Sequence, residues 1–285
     1  MTIWSLLWSP DFDKKAILEK LVCHRCGYTK TQLFTHIDVE ISEEDMTWIH
    51  QAYTMYTLDK KPLEYILGWV EFLGNRFTVW PVTLIPRPET EYMIEAINEY
   101  ISKQDQQQTV FDIGTGCGVL WLSVCLHNTA HIAQAYLTDL SSDALIIAKQ
   151  NYATYNTILW DIPLSFLEAS LLNDNQLRDW VEKAWSTSIL VANLPYIPEQ
   201  TFEDNTDIMV KKREPKMAFV WGDDGLDLYR IMFDQLLELN ASPTLFLEMM
   251  TRQVDILRKE YPEKFSFEEV KTFHFNIRIV KTVRF

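Results

Sequence analysis

Cysteine and glycine are both scarce in this chain, which has four cysteines and eight glycines among its 285 residues. So few cysteines argue against a disulfide framework. Cys23 and Cys26 form one C-x-x-C pair around His24, but no second pair follows at the spacing of a zinc site. We therefore predict two helix thiols at this pair and no metal site.

Basic residues are also few: 26 Lys and Arg residues stand against 40 Asp and Glu residues, a formal net charge of −14. Nonspecific binding of nucleic acid depends on basic surface, so we do not expect a nucleic-acid partner. The best candidate for a local basic patch is Lys211, Lys212 and Arg213, with Lys216 close behind. A charge run of this length is typical of a solvated loop.

Long apolar runs are missing as well. No stretch approaches the roughly 20 apolar residues that span a bilayer, and the first residues lack the basic region of a signal peptide. We therefore expect a soluble, cytoplasmic protein without a membrane partner. The apolar content of 47%, with 13% aromatic residues, is ample for packed cores and argues against disorder.

The pattern divides the chain into three parts. Residues 1–70 are typical of a small helical domain. Residues 71–83 are predicted to be a hairpin linker with its turn at Gly74 and Asn75. Residues 84–285 form the remaining domain.

Three helix starts are predicted outside the alternating region. Ser9 followed by Pro10 combines a capping side chain with a proline at the first helical position. Ser42 predicts a second helix, which reaches about Thr57. Pro88 predicts a third, with acidic residues at its positive N-terminal end.

From residue 109 onward, strand-like and helical runs alternate, which is typical of a mostly parallel sheet covered by helices. The predicted strands lie near 109–113, 133–138, 163–168, 187–192 and 243–248. The predicted helices lie near 118–127, 142–154, 175–184, 225–240 and 250–260. Residues 265–285 hold two strand-like runs without a helix between them, which predicts an antiparallel hairpin at the sheet edge.

A glycine loop follows the first of these strands. Gly114, Gly116 and Gly118 allow a tight turn and let a ligand approach the backbone amides. Asp139 ends the next strand, where an acidic group can accept hydrogen bonds from both ribose hydroxyls of a nucleoside cofactor. The alternatives are a purely structural turn for the loop and, for Asp139, a cap on the helix beginning near Ser142.

A polar and aromatic loop follows the buried run 188–192. Asn193, Leu194, Pro195 and Tyr196 stand at the carboxyl end of this strand, where open α/β sheets bind ligands. An ordinary Asn-Pro turn is the alternative. We interpret this loop and the glycine loop as two halves of one active site.

Together these motifs resemble the HemK/PrmC family of glutamine N5-methyltransferases, whose members methylate the glutamine of the Gly-Gly-Gln motif in class-1 peptide release factors. The resemblance covers nearly the whole chain and includes the segments 84–91, 214–215 and 224–230 together with Glu248 and Gln253. It implies a Rossmann-like class I methyltransferase domain with a mostly parallel sheet. It also implies S-adenosyl-L-methionine as the cofactor and a release factor as the protein substrate, docked by the helical N-terminal domain.

The resemblance implies a role for each loop. Asn193 accepts a hydrogen bond from the substrate NH₂, the carbonyl of Leu194 takes the second hydrogen, and Tyr196 stacks beside the flat amide. The nitrogen lone pair is then aimed at the methyl group in a dry pocket. The catalytic residues are therefore Asn193, Leu194, Pro195 and Tyr196. The cofactor-binding residues are Asp112, Gly114, Thr115, Gly116, Cys117, Gly118, Asp139, Ser170, Leu171 and Asn193.

Three residues depart from the family pattern. Leu194 replaces the first proline of Asn-Pro-Pro-Tyr, and Met250 stands where the family has glycine. Ser170 occupies the place where an acidic residue usually meets the adenine, while Glu168 nearby is expected to face away. These changes bear on cofactor affinity and substrate choice.

The departures keep other functions open. Asn-Leu-Pro-Tyr is also familiar from ribosomal RNA adenine dimethyltransferases, which makes an adenine amine the rival acceptor. A glutamine of a ribosomal protein is another. A binding module that kept the fold without catalysis is the third alternative.

Overall fold

The computed structural model describes residues 1–184, 187–273 and 277–284. The chain forms two compact units, one of Met1–Trp69 with Asp207–Arg213 and the other of Val70–Thr206 with Glu214–Phe285. That Asp207–Arg213 belongs with the N-terminal unit was not predicted. The functional division into a docking domain, a linker and a catalytic domain stays a prediction.

The N-terminal unit is helical. Its helices are α1 (Ile3–Leu7), α2 (Lys15–Cys26), α3 (Lys30–Thr35), α4 (Glu43–Thr57) and α5 (Leu63–Leu67). Apolar side chains from these helices, among them Leu18, Leu21 and Ile49, are fully buried and form one core. The predicted start of α4 is confirmed, since the hydroxyl of Ser42 accepts the N–H of Asp45 at 3.0 Å.

The predicted helix start at Ser9 and Pro10 is wrong, because α2 begins only at Lys15. The hydroxyl of Ser9 instead accepts the N–H of Asp11 at 3.2 Å, which closes a local turn. Tyr53 then fixes the chain before the helix, because its hydroxyl accepts the N–H of Lys14 at 2.8 Å. These side-chain contacts satisfy donors that a helix would have used.

The C-x-x-C pair lies on α2. Cys23 and Cys26 are half-buried there, and burial raises the pKa of both thiols. Within the described ranges, no three His, Cys, Asp or Glu side chains are grouped as they would be around a metal ion.

A hairpin and a helix precede the large sheet. Strands β1 (Trp69–Phe72) and β2 (Asn75–Thr78) pair, and helix α6 spans Glu89–Ile101. The turn lies at Leu73 and Gly74, whose φ angles are 47° and 75°, so it comes one residue earlier than predicted. The start of α6 directly after Pro88 agrees with the prediction.

The remaining elements alternate along the chain. They are β3 (Gln108–Ile113), α7 (Val119–Asn128), β4 (Ile132–Asp139), α8 (Ser142–Leu159), β5 (Leu164–Glu168), α9 (Asn175–Ala184), β6 (Ser188–Ala192), α10 (Glu199–Asn205), α11 (Ile208–Arg213), α12 (Asp227–Glu238), β7 (Thr244–Met250), α13 (Thr251–Glu260), β8 (Phe265–Phe273) and β9 (Ile277–Arg284). The alternation predicted from residue 109 is confirmed. Helices α10 and α11 were not predicted, and α11 belongs to the N-terminal unit.

Strands β3 to β9 form one mixed sheet in the order β5-β4-β3-β6-β7-β9-β8 across the described residues. The first five run parallel, while β9 is antiparallel to β7 and β8 is antiparallel to β9. The predicted fold is therefore confirmed, including the antiparallel hairpin at the edge. The strands that follow β3 in sequence lie on one side of it in the sheet, whereas those that follow β6 lie on the other side. The strand order therefore reverses between β3 and β6, and open α/β sheets bind ligands at such a switch point.

Both strands at the switch point are buried along their whole length. Helices cover the two faces of such a sheet, which explains the continuous apolar runs in the sequence. In the part of the chain that the structure describes, no helix has the length and apolar character needed to cross a membrane.

Candidate active site

A cleft opens where β3 and β6 end. Its empty volume, including the open mouth, is about 1180 Å³, which gives room for a nucleoside cofactor and a substrate side chain. The glycine loop forms one wall and the loop after β6 another. The predicted site residues that line the cleft are Asp112, Gly114, Thr115, Gly116, Cys117, Asp139, Ser170, Leu171, Asn193, Leu194 and Pro195.

The glycine loop is held by its own hydrogen bonds. The N–H groups of Gly114 and Thr115 both donate to the carbonyl of Thr138 at 2.9 Å. Gly114 has a φ of 74°, and a Cβ at this position would lie 3.2 Å from Cδ2 of Leu194. The two walls of the cleft therefore touch, and glycine is required where they do.

Asp112 lies buried under the glycine loop. Its carboxylate accepts a hydrogen bond of 2.6 Å from the hydroxyl of Thr115. Burial raises the pKa of Asp112 to about 7, and the nearby Asp139 also raises it, although the bond from Thr115 lowers it. Asp112 thus stabilises the glycine loop through its hydrogen bond with Thr115.

Asp139 ends β4 at the cleft. Its Oδ2 accepts the N–H of Gly116 at 2.8 Å, and its Oδ1 accepts the N–H of Ser141 at 2.9 Å. The cap of α8 is the hydroxyl of Ser141, which accepts the N–H of Ala144, so the cap alternative for Asp139 is wrong. Burial raises the pKa of Asp139. Each carboxylate oxygen keeps a lone pair that can accept a ligand hydroxyl.

A hydrogen-bonded chain of side chains supports Asn193. Nδ2 of Asn193 donates to the hydroxyl of Thr90 at 3.2 Å, and that hydroxyl donates to Oε2 of Glu248 at 3.1 Å. The hydroxyl of Tyr196 donates to Oε1 of Glu248 at 2.8 Å. Burial raises the pKa of Glu248 to about 7, against the lowering effect of these donors.

The structure accommodates Leu194 in the apolar core of the second unit. Its side chain is buried and belongs to the same core cluster as Ala192 and Leu226. The backbone of Leu194 lowers the pKa of Tyr229, against the larger raising effect of burial. The hydroxyl of Tyr229 donates to the carbonyl of Glu248 at 2.6 Å, and Pro195 still follows Leu194.

Gln253 holds the far end of the same loop. Its Nε2 donates to the carbonyls of Tyr196 and Asp224 at 2.7 and 2.8 Å, and its Oε1 accepts the N–H of Met250 at 2.8 Å. Met250 has a φ of −77°, which any residue adopts. The absence of glycine there therefore imposes no backbone strain.

Two predicted site residues, Gly118 and Tyr196, are not among the described residues that line the cleft. Gly118 caps α7 with a φ of 81°, and a Cβ on it would lie 3.2 Å from that of Ala148, so it allows α7 and α8 to pack closely. Tyr196 turns its hydroxyl to Glu248. Glu168 is exposed at the end of β5, as expected from its register. The roles of all these residues stay predictions.

Several lining residues were not assigned to the site from the sequence, among them Thr90, Arg87, Met217 and Trp221. Arg87 pairs with the buried carboxylate of Glu214 at 2.5 Å. The signal for Thr90 and Arg87 was the segment 84–91, which contains both residues and is part of the family resemblance. No sequence pattern pointed to the apolar pair Met217 and Trp221.

We expect the stability of the ligand-free protein to fall as the pH rises from about 5 to 8. Asp112 and Glu248 bind a proton more tightly in the folded protein than in the unfolded chain, because burial raises their pKa values from 3.8 and 4.5 to about 7. Stability linked to that proton is complete at low pH and is lost as the pH rises through 7. Denaturant titration at several pH values measures the slope.

The variant Glu248→Gln isolates one of the two carboxyls in this pH dependence. Each pKa unit corresponds to about 1.4 kcal/mol, so Glu248 contributes roughly 3 kcal/mol to the pH dependence. In Glu248→Gln the slope between pH 5 and 8 should be visibly smaller. An unchanged slope would show that Glu248 is ionised at its ordinary pKa.

The fold and the cleft together define a class I, S-adenosylmethionine-dependent methyltransferase. Among solved structures, the chain is similar to the catalytic domain of hMettl16, crystallised in complex with the MAT2A 3′UTR hairpin 6. The TM-score is 0.54 at 13% identity, covering 86% of this chain and 82% of the other. This similarity shows the shared fold. In addition, residues 87–195 match the family described as ribosomal protein L11 methyltransferase (PrmA).

Curated relatives narrow the class to one family. The chain is 32% identical over 225 residues to the release factor glutamine methyltransferase of Bacillus anthracis, covering 76% of this chain and 73% of the relative. It is 30% identical over 269 residues to the enzyme of the same name from Enterococcus faecalis, covering 91% of each. The chain belongs to the release factor glutamine methyltransferase family.

Proposed function

We propose that this enzyme transfers a methyl group from S-adenosyl-L-methionine to the side-chain nitrogen N5 of the glutamine in the Gly-Gly-Gln motif of a class-1 peptide release factor. The observation that carries this proposal is the meeting of the glycine loop, Asp139 and Asn193 in one cleft. The names of the relatives support the acceptor. Release factors act in translation termination, so the proposed place of action is the cytoplasm.

The residues of the cleft fit the cofactor. Asp139 offers a free lone pair on each carboxylate oxygen to the ribose hydroxyls. At Gly116 a Cβ would meet nothing within 4 Å, so this side of the loop is open to a ligand. Ser170 and Leu171 line the wall beside β5, where the adenine is expected. When bound, the cofactor supplies an electrophilic methyl group on a sulfonium.

The loop after β6 orients the acceptor. An amide nitrogen is a poor nucleophile because its lone pair is delocalised into the carbonyl. Hydrogen bonds from its two N–H groups to Oδ1 of Asn193 and to the carbonyl of Leu194 would hold the nitrogen in line with the methyl group. Leu194 and its apolar neighbours exclude water from this point. Directly after transfer the nitrogen would carry the methyl group, both hydrogens and the positive charge that the sulfonium has lost, so it is strongly acidic and releases one proton without a strong base.

The experiment that tests the acceptor offers two substrates at once. Purified release factor and ribosomal RNA are incubated with the enzyme and cofactor carrying an isotope-labelled methyl group. The proposal predicts label in the release factor and none in the RNA. Label in the RNA alone would favour the adenine acceptor, and label in neither would favour a ribosomal protein or a non-catalytic role.

Asp139→Ala is expected to weaken cofactor binding by about tenfold to a hundredfold, since it removes charge-assisted hydrogen bonds to the ribose. Isothermal calorimetry measures this change. Glu168→Ala is the matched control, because Glu168 is an exposed carboxylate at the end of the neighbouring strand. Equal affinities for the two variants would remove Asp139 from the cofactor site.

A further inference from the structure

Thr90 and Glu248 lie outside the residues assigned to catalysis, yet both connect to Asn193. Thr90 is in the first turn of α6 and Glu248 is on β7, and both side chains are buried. The three side chains form a chain of hydrogen bonds from Asn193 through Thr90 to Glu248. Asn193 itself lines the cleft, and so does Thr90.

The direction of these hydrogen bonds follows from the chemistry of the groups. Above its pKa of about 7, Glu248 is ionised and has only acceptor atoms, so the hydroxyl hydrogen of Thr90 is then committed to this carboxylate. The oxygen of Thr90 then presents only lone pairs to its other partner. Asn193 must therefore donate a hydrogen bond from its NH₂ group to this oxygen. Its Oδ1 then remains available to accept a hydrogen bond from a ligand in the cleft.

The reverse orientation of Asn193 is disfavoured by the same groups. A flipped amide would set its oxygen against the lone pairs of Thr90 and towards the carboxylate of Glu248, whose pKa the side chain of Asn193 lowers. Tyr196 occupies the second oxygen of Glu248 at 2.8 Å. With that oxygen occupied, the carboxylate is held in place and Thr90 remains its donor.

We propose that Thr90 and Glu248 are positioning residues that fix the side-chain amide of Asn193, so that its oxygen accepts a hydrogen bond from the substrate NH₂. This inference rests on the proposed function, because a glutamine amide is the substrate that needs an acceptor at this point. It also adds a source of specificity. A fixed acceptor favours an NH₂ group and opposes the carboxylate of a glutamate at the same position.

The test replaces Thr90 by valine, which has the same shape but no hydroxyl. Transfer to the release factor is expected to fall in kcat by about tenfold to a hundredfold, with KM for the release factor and cofactor affinity within about threefold. Thr90→Ser restores the hydroxyl and should return kcat to within about threefold of the wild type. Loss of kcat in both variants, or in neither, would overturn the inference.

Thr282→Val is the matched control for removing a buried threonine hydroxyl. Thr282 is fully buried on β9, and its hydroxyl has no hydrogen-bond partner among the described residues. We expect its kcat to equal that of the wild type. A fall equal to that of Thr90→Val would mean that the loss reflects general damage to the fold.

A spectroscopic measurement decides the inference even if the release factor proves to be the wrong acceptor. With asparagine selectively labelled with ¹⁵N, the side-chain NH₂ signal of Asn193 is the one that disappears in Asn193→Ala. Its protons should exchange slowly with water in the wild type and in Thr90→Ser, and faster in Thr90→Val. Fast exchange in the wild type, equal to that of the exposed Asn205, would overturn the inference and leave the acceptor question separate.

Discussion

Replacing Asn193 by alanine is expected to reduce methyl transfer by about a thousandfold or more, because the variant can no longer orient the substrate nitrogen. The cost is large since the amide nitrogen is a weak nucleophile and gains reactivity only through its alignment. Asn193 is also one of the residues predicted to bind the cofactor, so we allow cofactor affinity to change by up to about fivefold. Single-turnover transfer to a release factor measures the first effect and calorimetry measures the second.

Asn205→Ala is the control for Asn193→Ala, because Asn205 is an exposed asparagine at the end of α10 in the same unit. Its transfer rate should equal that of the wild type. Asn193→Ala with more than a tenth of wild-type activity would contradict the orienting role. Loss of cofactor binding in parallel with transfer would instead place Asn193 at the cofactor alone.

Gly225→Ala is expected to destabilise the protein by roughly 3 kcal/mol and to impair methyl transfer. Gly225 has a φ of 73°, and a Cβ on it would overlap the carbonyl of Tyr196 and crowd the side-chain amide of Gln253. Gln253 holds that carbonyl at 2.7 Å. The substitution must therefore displace the loop that carries Asn193.

Gly74→Ala separates the effect of the backbone angle from that of the clash. Gly74 has a φ of 75°, but a Cβ on it would meet nothing within 4 Å. Its cost should be that of the left-handed conformation, about 1 to 2 kcal/mol, with transfer unchanged. Denaturant unfolding of both variants measures the difference in their free energies of unfolding. Equal values would show that the loop at Tyr196 moves aside without a loss of stability.

Much of the fold could be predicted from local patterns. The runs that became β3 and β6 are apolar throughout because both faces are covered. Asp139 could be placed at the end of a strand because it directly follows another run of buried residues, 135–138. The start at Ser9 was misread, because the competing contact comes from Tyr53 on a distant helix. A local signal does not reveal such a partner.

The supporting chain under Asn193 was beyond sequence reasoning for a related reason. Thr90 and Glu248 are 158 residues apart in sequence, and each alone has an ordinary interpretation as a helix-start or strand residue. Met250 and Leu194 were noted as departures from the family. Only the structure shows that the backbone of Met250 is unstrained and that the side chain of Leu194 is buried in the core.

The central claim is that the cleft brings a glutamine side chain to a methyl donor at Asn193. The measurement that tests it most directly is fragmentation mass spectrometry of a release factor after incubation with the wild-type enzyme and S-adenosyl-L-methionine. We predict one added methyl group on the Gly-Gly-Gln glutamine, and none when that glutamine is replaced by glutamate or when the enzyme carries Asn193→Ala. A methyl group on any other residue, or one that Asn193→Ala adds equally well, would contradict the account.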